Sequence, residues 1–456
     1  MRVHFIAIGG SAMHNLAIAL HKKGFEVTGS DDVLFEPSAS RLAGYGILPQ
    51  STGWFPEKIT SNLDAVILGM HARADNPELL KAQELGVKIY SYPDYIYEQS
   101  KDKKRVVIGG SHGKTTITSM ILHALQQAGK DFDYLVGAQL EGFETMVKLS
   151  HEAPVNIIEG DEYLASPIDR RPKFHIYKAH IGVISGIAWD HINVFPTFDN
   201  YIEQFKIFAD TIETDGSLIY SQTDDVLNNM VAGLQHPANK LPYALPQFEI
   251  DNGVTSIEAD GNTYALQVFG SHNLLNIEAA RLVCEQLGIN KHDFYTYISS
   301  FKGAARRLEL VGKNEQSTIF KDFAHSPSKL TATIDAVKKQ FPQRKLIACI
   351  ELHTFSSLNK DFLNEYAGTM DEADEAIVFI DKKTFEQKKI TPYAADAVKE
   401  AFANGNLQFF DNPGALRNYL ESLDISNSNL LMMSSGNFGG INLIDLKNIL
   451  LNYTEY

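Results

Sequence analysis

One lysine and one threonine set the first chemical constraint on this chain. Residues 110–116 read GSHGKTT, after the apolar run 106–108 and before the helix-patterned stretch 117–127. The spacing predicts a strand, a glycine turn and a helix start. That arrangement aims backbone amides at a phosphate from the positive end of a helix. Gly110, Ser111, His112, Gly113, Lys114, Thr115 and Thr116 are therefore candidate nucleotide-binding residues. Lys114 would reach the outer phosphates, and the Thr115 hydroxyl would meet a magnesium ion. Ile108 stands where a complete Walker A pattern has its first glycine, so the match is partial.

Two further groups fall just after apolar runs. Glu159 opens the segment EGDE (159–162) after the run 155–158, and Asp190-His191 closes a short segment after the run 181–184. Ligands of parallel α/β sheets gather at the carboxyl ends of the strands. Glu159 and His191 are thus expected in the crevice of the phosphate turn, as metal ligands beside Thr115, although magnesium prefers oxygen donors. A second glycine turn, Gly9-Gly10-Ser11, precedes a helix over 12–22, with Asp31 about 20 residues on, where a ribose-binding acid belongs. The dinucleotide fingerprint itself fails, since Gly10 and Ser11 break its spacing. The better expectation is a helix start that seats another diphosphate, such as that of a nucleotide sugar.

Three α/β domains in series must position these groups: 1–102, 103–302 and 303–456. The first alternates strands at 3–8, 25–28, 65–68 and 87–89 with helices at 12–22 and 77–85. The polar stretch 100–105 (SKDKKR) reads as a linker that cannot contribute to a core. The second domain carries the phosphate turn, helices over 200–212 and 273–287, and antiparallel strands inserted between 218 and 269. The third has strands at 318–320, 346–349, 376–379 and 430–433, with helices over 329–340 and 361–370. The fold class is α/β, with a Rossmann-like first domain, a central P-loop ATPase-like domain and a Rossmann-like third domain.

Composition narrows the function classes. A net charge of −15 opposes non-specific nucleic-acid binding, and no apolar run approaches the length of a membrane span. The two cysteines, Cys284 and Cys349, both lie in apolar stretches and read as buried thiols of a reducing compartment. With no secretory leader in MRVHFIAIGGSAM, a cytoplasmic location is expected. An acidic substrate would need local cations. The sequence carries no signal for oligomeric state.

Taken in order, GGSAM (9–13) with TGSDD (28–32), GSHGKTT, EGDE, WDH (189–191), GSHNLLN (270–276), ARRLEL (305–310), KDFAHSP (321–327) and SGNFGGI (435–441) resemble the Mur ligase family. These are the ATP-dependent amide-forming enzymes of peptidoglycan assembly. The resemblance runs from residue 3 to residue 441. It implies ATP and Mg2+ as cofactors and UDP-N-acetylmuramate as a substrate, with Gly9, Gly10, Ser11, Asp31 and His112 at the sugar nucleotide. It implies catalytic roles for Lys114, Glu159 and His191, and adenine contacts from Asn273 and Asn276, for which helix capping is the alternative at Asn273. Arg307 and Asp322 would approach the nucleotide from the third domain. Lys206 lies fifteen residues after His191, the spacing of a carbamylated metal-binding lysine in some members; the alternative is an exposed lysine on an amphipathic helix.

Two family branches use UDP-N-acetylmuramate itself as the acid. One adds L-alanine; the other adds L-alanyl-γ-D-glutamyl-meso-diaminopimelate during cell-wall recycling. The stretch EYLASPIDRRPKF (162–174), RRLEL and the FGGI ending resemble the tripeptide branch. Departures exist: Lys321 replaces the first Asp and Ser326 the second His of the usual third-domain motif, and Gly186 and Ala188 stand where Asn and Glu are common. A P-loop kinase or mechanical NTPase would explain GSHGKTT alone, and a nicotinamide dehydrogenase only the first glycine turn.

Overall fold

The computed structural model describes residues 1–451, apart from 71, 141, 190–193, 305 and 306. The chain folds as mixed α/β domains in series. It divides into two compact units, one of Met1–Ile187, Thr197–Ala244 and Ile277–Tyr297, the other of Ala188–Pro196, Leu245–Asn276 and Ile298–Tyr456.

Within the first unit, strands β1 (Arg2–Ile6), β2 (Glu26–Ser30), β3 (Ala65–Leu68) and β4 (Ile89–Ser91) make a parallel sheet in the order β2-β1-β3-β4. The last strand sits two residues later than its apolar run suggested. A seven-stranded sheet follows, from β5 (Lys104–Gly109), β6 (Asp133–Leu135), β7 (Val147–Lys148), β8 (Val155–Glu159), β9 (Ile181–Ile184), β10 (Ser217–Ser221) and β11 (Asn239–Tyr243). Its order is β11-β10-β9-β5-β8-β6-β7, parallel except for β7. The inner strands are apolar on both faces, as helices on both sides of a parallel sheet require.

The stretch 100–105 is corrected. Lys104 opens β5, and Arg105 is 2% exposed. Its Nε donates to the carbonyls of Tyr177 and Lys178, each at 2.9 Å, and Nη1 donates to those of Ser100, Lys101 and Lys103. Nη2 meets Glu213 at 3.1 Å. A buried cation persists only when its donors are filled, and here Arg105 is built into the interior while Lys101, Asp102 and Lys104 stay exposed.

The second unit holds a three-stranded antiparallel sheet of β12 (Phe248–Asp251), β13 (Val254–Ala259) and β14 (Asn262–Ala265). The inserted antiparallel strands thus begin later than expected, because β10 and β11 extend the parallel sheet instead. The remaining strands are β15 (Glu309–Lys313), β16 (Thr318–Asp322), β17 (Lys345–Glu351), β18 (Glu375–Phe379), β19 (Gln408–Phe410) and β20 (Ser428–Met433), in the order β15-β16-β20-β17-β18-β19. Only β15 is antiparallel to its neighbour. The helix expected over 361–370 is a single 3-10 turn, Leu363–Tyr366. Leu363, Tyr366 and Met370 are buried, so the apolar spacing reflects a packed turn. Cys284 and Cys349 are free and buried. No helix among the described residues is long and apolar enough to cross a membrane.

Candidate active site

Strand β5 lies at the middle of its sheet with β9 on one side and β8 on the other. All three run parallel, so Gly110, Ser185 and Glu159 emerge at one end. Ile108 is fully buried inside β5, which accounts for a side chain where the full motif would have glycine. The turn is clamped from β9: the Ser111 amide donates to the Gly186 carbonyl at 3.0 Å, and the Ser185 hydroxyl donates to the His112 carbonyl. Gly110 has φ +129°, and an added Cβ would sit 2.1 Å from the Ser185 Oγ. The helix Lys114–Gln127 begins directly after Gly113.

Lys114 turns back over this loop. Its Nζ donates to the Gly110 carbonyl at 2.7 Å and to Glu162 Oε2 at 2.8 Å. The two side chains are 13% and 2% exposed. Burial works against the Lys114 charge, but Glu162, Asp161 and Glu159 outweigh it and hold the ammonium above its ordinary range. Thr115 donates its hydroxyl to Glu159 Oε1 at 2.8 Å, and the Gly137 amide donates to Oε2 at 2.7 Å. Burial first, then Asp161, raises the Glu159 carboxyl, against the pull of these two donors and Lys114. A bound cation would reverse that bias by favouring the carboxylate.

The structure therefore brings Lys114, Thr115 and Glu159 together, as the sequence suggested. It adds three groups that were missed: Glu162, Gly137 and Tyr201, whose hydroxyl bonds Ser111 Oγ at 3.0 Å and reaches Glu162 Oε1 at 3.4 Å. Glu162 was visible within EGDE. Gly137 and Tyr201 carry no local signal.

Other predicted residues have defined places. The Gly9 amide donates to Asp31 Oδ2 at 2.7 Å, so this acid braces the first glycine turn. Burial pushes the Asp31 carboxyl up, opposed by the amides of Gly9 and Val33. Gly10 precedes and Ser11 opens the helix Ser11–Lys22. Asn273 and Asn276 are buried in the helix Ser271–Gln286. Asn273 Nδ2 donates backward to the Phe269 carbonyl at 2.8 Å, whereas a capping side chain would accept from the amides ahead.

In the second unit, Asp322 accepts from the amides of Leu308 at 2.7 Å and Ala324 at 2.6 Å, and burial raises its carboxyl. The Arg307 guanidinium lies 4.7 Å from the Phe323 ring centre. A cavity of about 340 Å3 joins Glu309, Lys321, Asp322, Gly436 and Asn437. Lys206 is on the outer face of the helix Phe198–Asp210, half-exposed and 3.7 Å from Glu203. His191 lies outside the described residues.

Thr115 and Glu159 offer oxygen donors only 2.8 Å apart beside a phosphate turn. That suits Mg2+, which binds through one or two protein oxygens and completes its shell with phosphates and water. Among the described residues, no group of three or more His, Cys, Asp or Glu side chains could hold a metal ion.

Comparison with known proteins gives this geometry a family. Residues 2–104 match the Mur ligase family, catalytic domain; 108–284 match the Mur ligase middle domain; and 306–436 match the Mur ligase, glutamate ligase domain. A UDP-N-acetylmuramate–L-alanine ligase of Caldicellulosiruptor bescii is 32% identical over 387 residues, covering 82% of each chain. The Clostridium tetani enzyme of that name is 30% identical, covering 81% of each. Among solved structures, a murein peptide ligase from Psychrobacter arcticus 273-4 matches over the whole of both chains, with TM-score 0.64 and 23% identity. The UDP-N-acetylmuramate-alanine ligase of Thermotoga maritima matches over 99% of this chain and 98% of its own, with TM-score 0.69 and 20% identity.

The chain belongs to the Mur ligase family, whose members are ATP-dependent amide ligases. One solved relative, MurF ligase from Thermotoga maritima, was captured in complex with ADP; it is 16% identical, with TM-score 0.59, covering 86% of this chain and 88% of its own.

Proposed function

We propose that this enzyme joins the lactyl carboxylate of UDP-N-acetylmuramate to the amine of L-alanyl-γ-D-glutamyl-meso-diaminopimelate. The observation that carries the chemistry is Lys114 poised over the glycine turn with Thr115 and Glu159 paired beside it. An amide does not form readily from a carboxylate and an ammonium in water, because the departing oxygen is a poor leaving group. Phosphorylation solves this. The carboxylate attacks the γ-phosphate of ATP and displaces ADP, and the resulting acyl phosphate is attacked by the neutral peptide amine, which loses a proton as phosphate leaves.

The first step brings two anions together, so positive charge must be in place beforehand. Lys114 and the amides of 110–116 supply it from the protein, a preorganised arrangement that costs no rearrangement at the moment of reaction. Thr115 and Glu159 would hold Mg2+, with His191 contributing at a second position. When bound, the metal neutralises charge on the β- and γ-phosphates. Gly9, Gly10 and Ser11, braced by Asp31, would seat the sugar nucleotide's diphosphate.

The tripeptide is favoured by the loop after Glu162. A β-bridge pairs Leu164 with Pro172, and Arg171 is set between Asp169 at 2.6 Å and Asp94 at 3.5 Å. Arg170, Arg171 and Lys173 place three cations in this loop, with Lys173 also paired to Asp161 at 3.1 Å, so a multiply acidic peptide would take over from these internal acids. L-alanine is the second reading, favoured by the curated relatives that bear that substrate in their names.

Coupled measurement of ADP release decides between them. The expected result is release that requires UDP-N-acetylmuramate and gives kcat/KM at least about tenfold higher with tripeptide than with L-alanine. A higher value with L-alanine would establish the second reading, and release indifferent to the sugar nucleotide would point to a plain NTPase.

A further inference from the structure

Glu162 has no task in the chemistry above, yet it forms a salt bridge with the principal cation, Lys114. It is 1% exposed, bonded through Oε2 to Lys114 at 2.8 Å and through Oε1 to Tyr201 at 3.4 Å. Tyr201 is fully buried and bonds Ser111 of the same turn. The carboxylate is thus moored to the phosphate cradle by a rigid aromatic residue, and points at the ammonium that a terminal phosphate would need.

We infer that Glu162 is a positioning residue for Lys114 and acts as a placeholder anion. It keeps the ammonium folded over the turn before nucleotide arrives, then competes with the γ-phosphate for it. This rests on the proposal that ATP occupies the 110–116 turn.

The physical basis is a conflict of like charges. Lysine has three donors; Gly110 and Glu162 occupy two of them. A γ-phosphate that takes the third must lie close to the Glu162 carboxylate in a largely buried site, where repulsion is poorly screened. If Lys114 instead swings fully to the phosphate, Glu162 loses its ion pair. Either way, nucleotide binding works against Glu162. ADP, lacking the γ-phosphate, should feel the conflict less. The placeholder would therefore weaken ATP binding relative to ADP in exchange for a Lys114 that is ordered beforehand.

The test uses the full chain and calorimetric titration with ATP and ADP, each in EDTA and in Mg2+. Glu162→Gln keeps the shape and the Tyr201 contact but removes the charge. It should bind ATP more tightly than wild type by on the order of tenfold in both conditions, with a smaller gain for ADP. Damage to the fold cannot produce a gain in affinity, so the sign separates this role from a structural one.

Tyr201→Phe, which loosens the mooring, should show a smaller gain of the same sign. Unchanged or weaker ATP binding by Glu162→Gln in EDTA would overturn the inference. Weaker binding only with Mg2+ would overturn it too, and would make Glu162 a metal ligand. Should wild type itself bind no ATP, the ATP assignment and the inference fall together; ATP binding by wild type with no gain in the variant sinks the inference alone.

Discussion

Replacing Lys114 with methionine is expected to lower kcat/KM by on the order of 10²–10³, the effect of losing one preorganised charge donor, about 2.7–4 kcal/mol of transition-state stabilisation. Methionine keeps an unbranched, apolar stem in the space of the lysine chain. A second consequence follows from the ion pair. Removing the ammonium takes the Lys114 ion pair from the nearly inaccessible Glu162 carboxylate, and breaking a buried pair from one side typically costs about 3–5 kcal/mol of stability. Chemical denaturation should register that loss. The double variant Lys114→Met with Glu162→Gln separates the two effects, because it restores stability without restoring turnover. Recovery of both would mean that Lys114 serves the fold and not the reaction.

Gly110→Ala should be as damaging by a different route. Its φ of +129° is strained for any L side chain, and the new methyl would meet Ser185 Oγ at 2.1 Å, the Ser185 amide nitrogen at 2.9 Å and its Cβ at 3.1 Å. Strain of this kind costs about 1–3 kcal/mol, before the clash is counted. The backbone contact cannot be relieved by a side-chain rotation, so the turn itself must move. Since the Ser111 amide is held by Gly186 across the same junction, displacement would spoil the aim of the amides. Titration with ATP should show affinity reduced by at least about a hundredfold, given several displaced donors worth about 1 kcal/mol each. Adding Ser185→Ala removes the hydroxyl clash but also the bond from Ser185 to the His112 carbonyl, so it should recover only part of the loss. Binding at wild-type strength would contradict the assigned phosphate cradle.

The sequence made the core of the site legible because its chemistry is local. A strand, glycines and Lys-Thr define the turn in consecutive residues, and Glu159 is the last residue of the adjacent strand β8. Groups brought in from a distance were less visible. Tyr201 reaches the turn from a helix ninety residues beyond Ser111, and its spacing there marks it only as an apolar helix face. Glu162 stood in the same acidic segment as Glu159, but nothing in a row of carboxylates says which faces the lysine and which the threonine. Arg105 was misjudged because composition treats lysine and arginine as solvated, whereas carbonyls at 177 and 178, far along the chain, fill its donors. The 3-10 turn at Leu363–Tyr366 shows the converse, since helical apolar spacing can arise in a short packed turn.

Transfer of isotopic oxygen tests the central chemistry most directly. UDP-N-acetylmuramate labelled with 18O in both lactyl carboxylate oxygens would be turned over with ATP and the amine substrate, and the released phosphate examined by mass spectrometry. An acyl phosphate route requires each phosphate to carry one 18O atom, because the carboxylate oxygen that attacked phosphorus leaves with it. Unlabelled phosphate accompanying amide formation would contradict carboxylate activation at this site.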